Sequence, residues 1–229
     1  SGSLIVDIKD NNLFLMSYSV EFKGELTLED LKKHIITDKS RPDWVPYSTS
    51  YYKNEWAFCL PYNFVKDMKE GIYKVEIDSE KKDGELIYAE AYINNNARKD
   101  ILISSYICHP SMANDSLSGV VLTVQLYKEL KKINNLNYNY RFLFTPETIG
   151  TICFLHKNKK IKSNLEYGLV STCVGDSGEF TYKKSRNEKS NINRIVENVF
   201  SKRNFKGRIV EFSPLGSDER QYCSPGFDL

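Results

Sequence analysis

The residues of this chain best suited to chemistry are His109 and Asp115, which stand six positions apart. They follow an apolar, β-forming run at residues 101–108 and precede a helical pattern at residues 120–132. We therefore predict a buried strand that delivers His109 to its end, followed by a helix. Open α/β sheets place ligand sites at this carboxyl edge. Zinc uses both ligand types, a neutral imidazole and a carboxylate that can bridge two cations.

Two more carboxylates follow predicted strands in the same way. Glu147 comes after an apolar run at residues 138–144, and Asp176 comes after another at residues 169–174. Because three strands each end in a polar residue, we predict that Glu147 or Asp176 converges with His109 and Asp115 on a common metal position.

Each candidate also has an ordinary structural explanation. His109 could be a buried histidine satisfied by hydrogen bonds, and Asp115 could cap the helix that follows it. Glu147 could be a first-turn acid favoured by the helix dipole, and Asp176 could be a turn residue. Cys108 and His109 are not expected to form a nucleophile–base pair, since neighbours on a strand point to opposite faces.

Longer motifs give these residues a family context. CHPSMANDSLSG, FTPETIGT, CVGDSGEFTYKKSR and GSDERQYCSPGFD together resemble the aminopeptidase-like family of zinc peptidases related to the M28 aminopeptidases, of the DUF4910/DUF2172 type. The resemblance extends from about residue 11 to residue 229. It implies a zinc-exopeptidase fold and a link to polysaccharide-biosynthesis genes, but it does not imply a substrate.

The resemblance also implies roles for individual residues. In M28-type sites, one zinc takes a His, a bridging Asp and a Glu, and the other takes the same Asp, a second Asp and a C-terminal His. His109, Asp115 and Asp176 match the first His, the bridge and the later Asp. Glu147 stands where those enzymes have two adjacent glutamates, one a general base and one a ligand, so both roles stay open for it.

The chain departs from the M28 pattern at two positions. Pro146 precedes Glu147, so one carboxylate of the pair is absent, and Ser111 stands where an Asp would orient the imidazole. Three residues of the GSDERQY motif are candidate substrate contacts, with a structural loop network as the alternative: Asp218, Arg220 and Tyr222.

Composition sets the class of protein. The chain has 229 residues, 41% of them hydrophobic, and a net charge of +2, which predicts a sizeable core and no nucleic-acid partner. No stretch is long enough to span a membrane, and no secretory signal is recognised. Five dispersed cysteines without a CxxC pair indicate mostly buried thiols in a reduced, cytoplasmic protein.

The predicted fold is α/β, with a zinc-exopeptidase-like mixed sheet covered by helices on both faces and a small β-rich inserted subdomain. We expect residues 1–46 to be the N-terminal part of the peptidase-like domain, residues 47–95 to be the insertion, and residues 96–229 to be the metal-binding core. Within the insertion, alternating runs at residues 73–78 and 85–93 flank a Lys-Lys-Asp-Gly turn and predict a hairpin.

The favoured function is zinc-dependent hydrolysis of an amide bond in a small peptide or amide substrate. The alternative is a non-catalytic metal-binding or interaction module of a polysaccharide-biosynthesis system. None of the three histidines follows Asp176, and the family pattern continues past residue 229 into a segment with a further His ligand. We therefore expect a fragment with at most one well-formed zinc position and weak or absent activity.

Overall fold

The computed structural model describes residues 2–109, 112–203, 206–213, 216–227 and 229. These residues fall into two compact units, one that extends to Gly84 and one that begins at Glu85. Ser111, where M28 enzymes carry an orienting Asp, lies outside the described residues.

The first unit is built on a pair of antiparallel strands and two short helices. Its elements are β1 (Phe22–Thr27), α1 (Leu28–Lys32), β2 (Ile35–Ile36), β3 (Phe58–Cys59), α2 (Tyr62–Lys66) and β4 (Ile72–Ile77). β1 pairs with β4 along its whole length, and β2 pairs with β3 in parallel. Thr27 ends β1 and caps α1 by accepting the Asp30 N–H, which is the usual role of Thr at this position.

A small apolar core holds the first unit together. Leu31, Trp56, Val75 and Ile77 are all buried and pack as one cluster. The alternation of β4, with Val75 and Ile77 inward and their neighbours outward, is the pattern of a strand with one covered face. Every buried member of this cluster comes from the first unit, so this unit has a core of its own.

The second unit contains the larger sheet and the candidate site. Its elements are β5 (Ala89–Ile93), β6 (Asp100–Tyr106), α3 (Gly119–Leu130), β7 (Asn139–Thr145), α4 (Ile149–Lys157), β8 (Leu165–Val170), β9 (Thr181–Lys183), α5 (Asn191–Lys202), β10 (Arg208–Val210) and α6 (Glu219–Tyr222). The larger sheet has the order β5-β7-β6-β8. β6 runs parallel to β7 and β8, and β5 is antiparallel to β7. The predicted mixed sheet is therefore confirmed, and β9 and β10 form a separate parallel pair.

Helices cover both faces of this sheet. Leu102 and Ile103 of β6 point to opposite faces, and Ile103 is the register partner of Phe142 in β7. Leu102 lies in one cluster with Phe154 of α4 and Tyr222 of α6. On the opposite side, Phe142 of β7 packs edge-on against Tyr127 of α3. Strand residues alternate between the faces of a sheet, so α3 lies on one side and α4 with α6 on the other.

The structure corrects the predicted hairpin. β4 pairs with β1 of the first unit, and β5 pairs with β7 of the second, so the two strands are not partners. The alternation of polar and apolar residues predicts that a segment is a strand, but it does not determine with which other strand the segment pairs. The observed division at Gly84 falls inside the segment 47–95, and the three-part domain division stays a prediction.

Burial of the cysteines also differs from expectation. Cys59 and Cys223 are buried, but Cys108 and Cys173 are exposed. Both exposed thiols lie in segments past strand ends rather than inside strands. Across the described residues, no helix combines the length and the apolar character that a membrane crossing requires.

Candidate metal centre

Three side chains with metal-binding atoms come together in the second unit. The ligand-type atoms of Cys108, His109 and Glu147 lie within 4.8 Å of one another. The Nε2 atom of His109 is 3.5 Å from Oε2 of Glu147. Cys108 is exposed, while His109 and Glu147 are half-buried, so solvent can reach the group.

Two neighbouring parallel strands deliver these residues to one edge of the sheet. β6 ends at Tyr106 and β7 ends at Thr145, and these two residues are register partners. The Ile107 N–H continues the ladder to the Thr145 carbonyl at 3.1 Å. The group therefore lies just past the carboxyl ends of two adjacent strands, where ligand sites of open α/β sheets are found.

The pair formed by His109 and Glu147 fits the donor geometry of a zinc ion. Zinc–nitrogen and zinc–oxygen bonds of about 2.0–2.2 Å at a tetrahedral angle separate the two donor atoms by roughly 3.3–3.5 Å. The observed 3.5 Å between Nε2 and Oε2 matches that separation. An imidazole, a carboxylate and a thiol are also donor types found in zinc sites.

Cys108 contacts the imidazole, contrary to the sequence expectation. Its Sγ atom lies 3.1 Å from Nδ1 of His109 and accepts the Glu147 N–H at 3.1 Å. The expectation assumed that both residues belong to the strand, but β6 ends at Tyr106, so the alternation of strand side chains no longer applies. Although Cys108 is exposed to solvent on one side, partial desolvation of its sulfur raises the pKa of the thiol, and the bond from the Glu147 N–H partly opposes that increase.

The turn that carries Glu147 is held by a buried carboxylate. Asp218 is fully buried, and its Oδ1 accepts the Thr148 N–H at 2.6 Å. Thr148 has a positive φ of 61°, an uncommon conformation for a β-branched residue. Burial raises the pKa of Asp218 to about 6. The backbone next to Glu147 is thus fixed by a side chain from a distant part of the sequence.

Asp115 lies in a distorted turn, Ala113–Ser118, ahead of α3. Its Oδ1 accepts the Tyr106 hydroxyl at 2.5 Å, and Thr172 Oγ1 lies 2.6 Å from the same hydroxyl oxygen. The Asp115–Ser116 peptide bond is cis. α3 begins at Gly119 without a side-chain cap, so the alternative that Asp115 caps this helix is wrong.

Asp176 lies beyond the end of β8 and is tied to the same turn. Its Oδ2 accepts the amide of Asn114 at 2.8 Å, and the Gly175 N–H donates to Asn114 Oδ1 at 2.8 Å. Asn114 therefore links the two candidate aspartates, since Asp115 is its neighbour. Neither aspartate belongs to the three-residue group formed among the described residues, and their role as ligands stays a prediction.

The three candidate substrate contacts occupy different environments. Tyr222 is buried in the core cluster and donates to Ser104 Oγ at 3.0 Å, and burial raises its pKa to about 12. Asp218 is buried beneath the Glu147 turn, while Arg220 is exposed. For Asp218 and Tyr222, these contacts favour the alternative of a structural network.

The other two histidines lie outside the group. His34 belongs to the first unit, stacks on Trp56 with ring centroids 3.9 Å apart, and places Nδ1 3.1 Å from the Trp56 carbonyl. His156 is exposed in the last turn of α4. Sequence reasoning singled out His109, which belongs to the three-residue group, but missed the contacts of Cys108 and Tyr106, which have the pattern of ordinary strand residues.

A cavity of about 610 Å³ opens beside the group in the second unit, and Tyr106, Glu147 and Thr172 form part of its wall. The remainder of the wall is largely apolar and includes Ile103, Leu122, Leu126, Leu169, Phe180 and Val210. Ligand pockets commonly enclose 300–1,000 Å³ and combine apolar walls with a few polar groups. The space beside Glu147 is therefore large enough for a small amide or peptide.

Comparison with known proteins places these features in context. A family model described as "Domain of unknown function (DUF4910)" matches residues 16–229. A Clostridium acetobutylicum protein named "Putative polysaccharide biosynthesis protein with aminopeptidase-like domain" is 44% identical over 228 residues, which cover 100% of this chain and 52% of that protein.

A solved structure, described as a putative peptidase from Clostridium acetobutylicum, is similar to the whole chain. It is 44% identical, with a TM-score of 0.95, and the match covers 100% of this chain and 54% of that one. The chain therefore spans about half the length of the relatives it matches.

Proposed function

Because this chain belongs to the DUF4910 family, we propose that it is a zinc-dependent hydrolase of amide bonds, of the aminopeptidase-like kind, that acts in polysaccharide biosynthesis. The observation that carries this proposal is the 3.5 Å approach of His109 Nε2 to Glu147 Oε2 at the carboxyl edge of the sheet. The names of the relatives, one aminopeptidase-like and one a peptidase, support the reaction class and the biosynthetic setting.

In this proposal, His109 and Glu147 hold the metal and the cavity beside them takes the substrate. Zinc at such a site polarises a carbonyl group and makes a coordinated water more acidic. Asp115 and Asp176 are proposed as further ligands that approach from the turn linked by Asn114. The largely apolar wall around Leu122 and Leu169 would contact the apolar part of a substrate, and Glu147 is a polar group at the same wall.

Hydrolysis requires a group that moves a proton from water to the leaving amine. Water adds to the carbonyl carbon, the C–N bond breaks, and the nitrogen leaves with one proton from water, which yields a carboxylic acid and an amine. Glu147 is the carboxylate of the three-residue group and remains a candidate for this task. Its 3.5 Å distance from His109 Nε2 is compatible with the other role as well, that of a ligand.

Zinc binding tests the site directly. Equilibrium dialysis should find about one zinc per chain, since His109 is the single histidine of the three-residue group. His109→Ala should lose this zinc. His156→Ala, which changes an exposed histidine of the same unit, is the matched control and should keep it. Equal zinc content in all three proteins would overturn the metal site.

Turnover separates catalysis from binding alone. The protein should hydrolyse aminoacyl p-nitroanilides at a low rate that requires both zinc and His109. Glu147→Gln distinguishes the roles of this residue, because loss of zinc identifies a ligand, whereas retention of zinc with loss of turnover identifies a base. If the chain binds zinc but cleaves no amide of the series, the reaction we propose is wrong.

A non-catalytic metal-binding module of a polysaccharide-biosynthesis system is the second candidate. It is favoured by the proximity of Cys108, a third ligand-type side chain, to His109 and Glu147. Structural zinc sites are closed by four protein ligands, often including thiolates, whereas catalytic sites keep a position open. This candidate therefore predicts a sulfur–metal bond and no turnover.

A further inference from the structure

One sulfur atom contacts both residues of the candidate metal pair. Cys108 Sγ lies 3.1 Å from Nδ1 of His109 and accepts the backbone N–H of Glu147 at 3.1 Å. The other ring nitrogen of His109, Nε2, is the one that faces the Glu147 carboxylate. The thiol therefore contacts the ring nitrogen that does not face the Glu147 carboxylate.

Metal-binding histidines depend on a partner at the second ring nitrogen. That partner accepts the remaining N–H, selects the tautomer and fixes the orientation of the ring, and its loss typically weakens metal affinity 10- to 100-fold. A cysteine sulfur is a weak acceptor that can take this role. We infer that Cys108 is a positioning residue for His109: its sulfur accepts the Nδ1 proton and presents Nε2 to the metal. This inference rests on the proposed zinc site.

The surroundings of the ring support this assignment. The Tyr106 ring lies with its centroid 5.3 Å from that of His109, at an angle of 52°, and so limits the space available for ring rotation. Because the sulfur also accepts the Glu147 N–H, one side chain sets the orientation of the imidazole and the distance between the two loops that follow β6 and β7. Cys108 thereby couples the two ligands without binding the metal.

Affinity measurements on two variants test the inference. Cys108→Ala removes the acceptor and should weaken Co²⁺ or Zn²⁺ binding by about 10- to 100-fold. Cys108→Ser keeps an acceptor oxygen and should recover part of that loss. Cys153→Ala is the matched control, since this half-buried thiol lies on α4 and is not part of the three-residue group. The free energy of unfolding of each apo variant shows whether a change in affinity reflects loss of the fold.

Spectroscopy distinguishes positioning from ligation. With Co²⁺ in place of zinc, a thiolate ligand gives an intense charge-transfer band in the near ultraviolet. The parent protein should show the visible bands of bound Co²⁺ without that band. Nitrogen-15 NMR of the zinc-loaded protein should show His109 with its proton on Nδ1, and Cys108→Ala should broaden or shift that signal.

Different experimental results would overturn the positioning role of Cys108 and the proposed zinc site on which it rests. If the parent binds Co²⁺ with a thiolate band, or if Cys108→Ala binds as tightly as the parent, the positioning role is wrong while the metal site stands. If the parent binds no Co²⁺ or Zn²⁺ at all, the proposed zinc site is wrong, and the inference fails with it.

Discussion

At the scale of single residues, Asp115 can be tested without disturbing the fold. Asp115→Asn keeps an oxygen that can accept the Tyr106 hydroxyl but removes the charge that a metal ligand supplies. We expect near-parental stability and a zinc affinity at least tenfold weaker, measured by chemical unfolding and isothermal titration. Asp83→Asn, which changes an exposed side chain, serves as a control for the loss of one negative charge. Parental zinc affinity in Asp115→Asn would show that this carboxylate is not a ligand.

Asp218 should make stability depend on pH. Its folded-state pKa is raised from 3.8 to about 6 by burial, so the folded state binds the proton more tightly than the unfolded state does. The contribution of Asp218 to the free energy of unfolding therefore falls as pH rises from about 4 to about 6, by roughly 3 kcal/mol at most. Asp218→Asn should keep the bond from Thr148 and lose this dependence.

The measurement for Asp218 is the free energy of unfolding of the second unit at pH 4.5 and at pH 7. The stability of Asp218→Asn relative to the parent should increase between these two values. Asp83→Asn changes an exposed side chain and controls for the loss of one carboxyl group. A constant difference between the Asp218 variant and the parent would contradict the assignment of a buried carboxyl with a raised pKa.

At the scale of elements, α3 approaches the strand ends closely because its first residue is a glycine. A Cβ atom on Gly119 would lie 2.2 Å from the Ser171 carbonyl and 2.8 Å from Ser105 Oγ. Gly119→Ala should displace the helix and destabilise the protein by about 1–3 kcal/mol, although alanine is the better helix former.

Gly168→Ala is the matched control for Gly119→Ala, since its added Cβ would meet nothing closer than 3.9 Å. Unfolding followed by far-ultraviolet circular dichroism should separate the two variants. Zinc affinity should also fall in Gly119→Ala, because the turn that carries Asp115 precedes this glycine. Similar stabilities for the two variants would show that α3 can shift without cost.

The sequence predicted some elements well, and the reasons can be identified. The apolar runs at 101–108 and 138–144 are buried on both faces, so they gave β6 and β7 within two residues. β8 was placed several residues too late, because its first half, Leu-Glu-Tyr-Gly, lacks a continuous apolar run. The contact of Cys108 with His109 was missed because it depends on where β6 ends.

At the scale of the whole molecule, the sequence indicated an α/β protein but not that the chain divides into two compact units after Gly84. Pairing of β4 with β1 and of β5 with β7 joins segments distant along the chain, and local patterns carry no information about such partners. The family resemblance supplied the expectation of a mixed sheet, and the comparison with the 44% identical structure supports it. The chain matches about half of that relative, so activity of the longer proteins remains a proposal for this one.

The division at Gly84 leads to a prediction about limited proteolysis. Residues 78–88 lie between β4 and β5 without regular structure, and residues 81–90 are all exposed. Each unit has its own buried cluster, one around Trp56 and Val75 and the other around Leu102 and Phe154. Proteases cut preferentially at exposed, irregular segments, so trypsin should cleave first after Lys81 or Lys82.

The fragments produced by this cleavage should remain folded, because each unit contains a buried apolar cluster of its own. Both tryptophans, Trp44 and Trp56, belong to the first unit, so tryptophan fluorescence reports on that unit alone, and zinc binding reports on the second. After cleavage, mass spectrometry should find two stable fragments, and both signals should persist. The double variant with Gln at positions 81 and 82 should resist this first cut. Rapid digestion of either fragment to small peptides would show that its core is not sufficient to keep it folded.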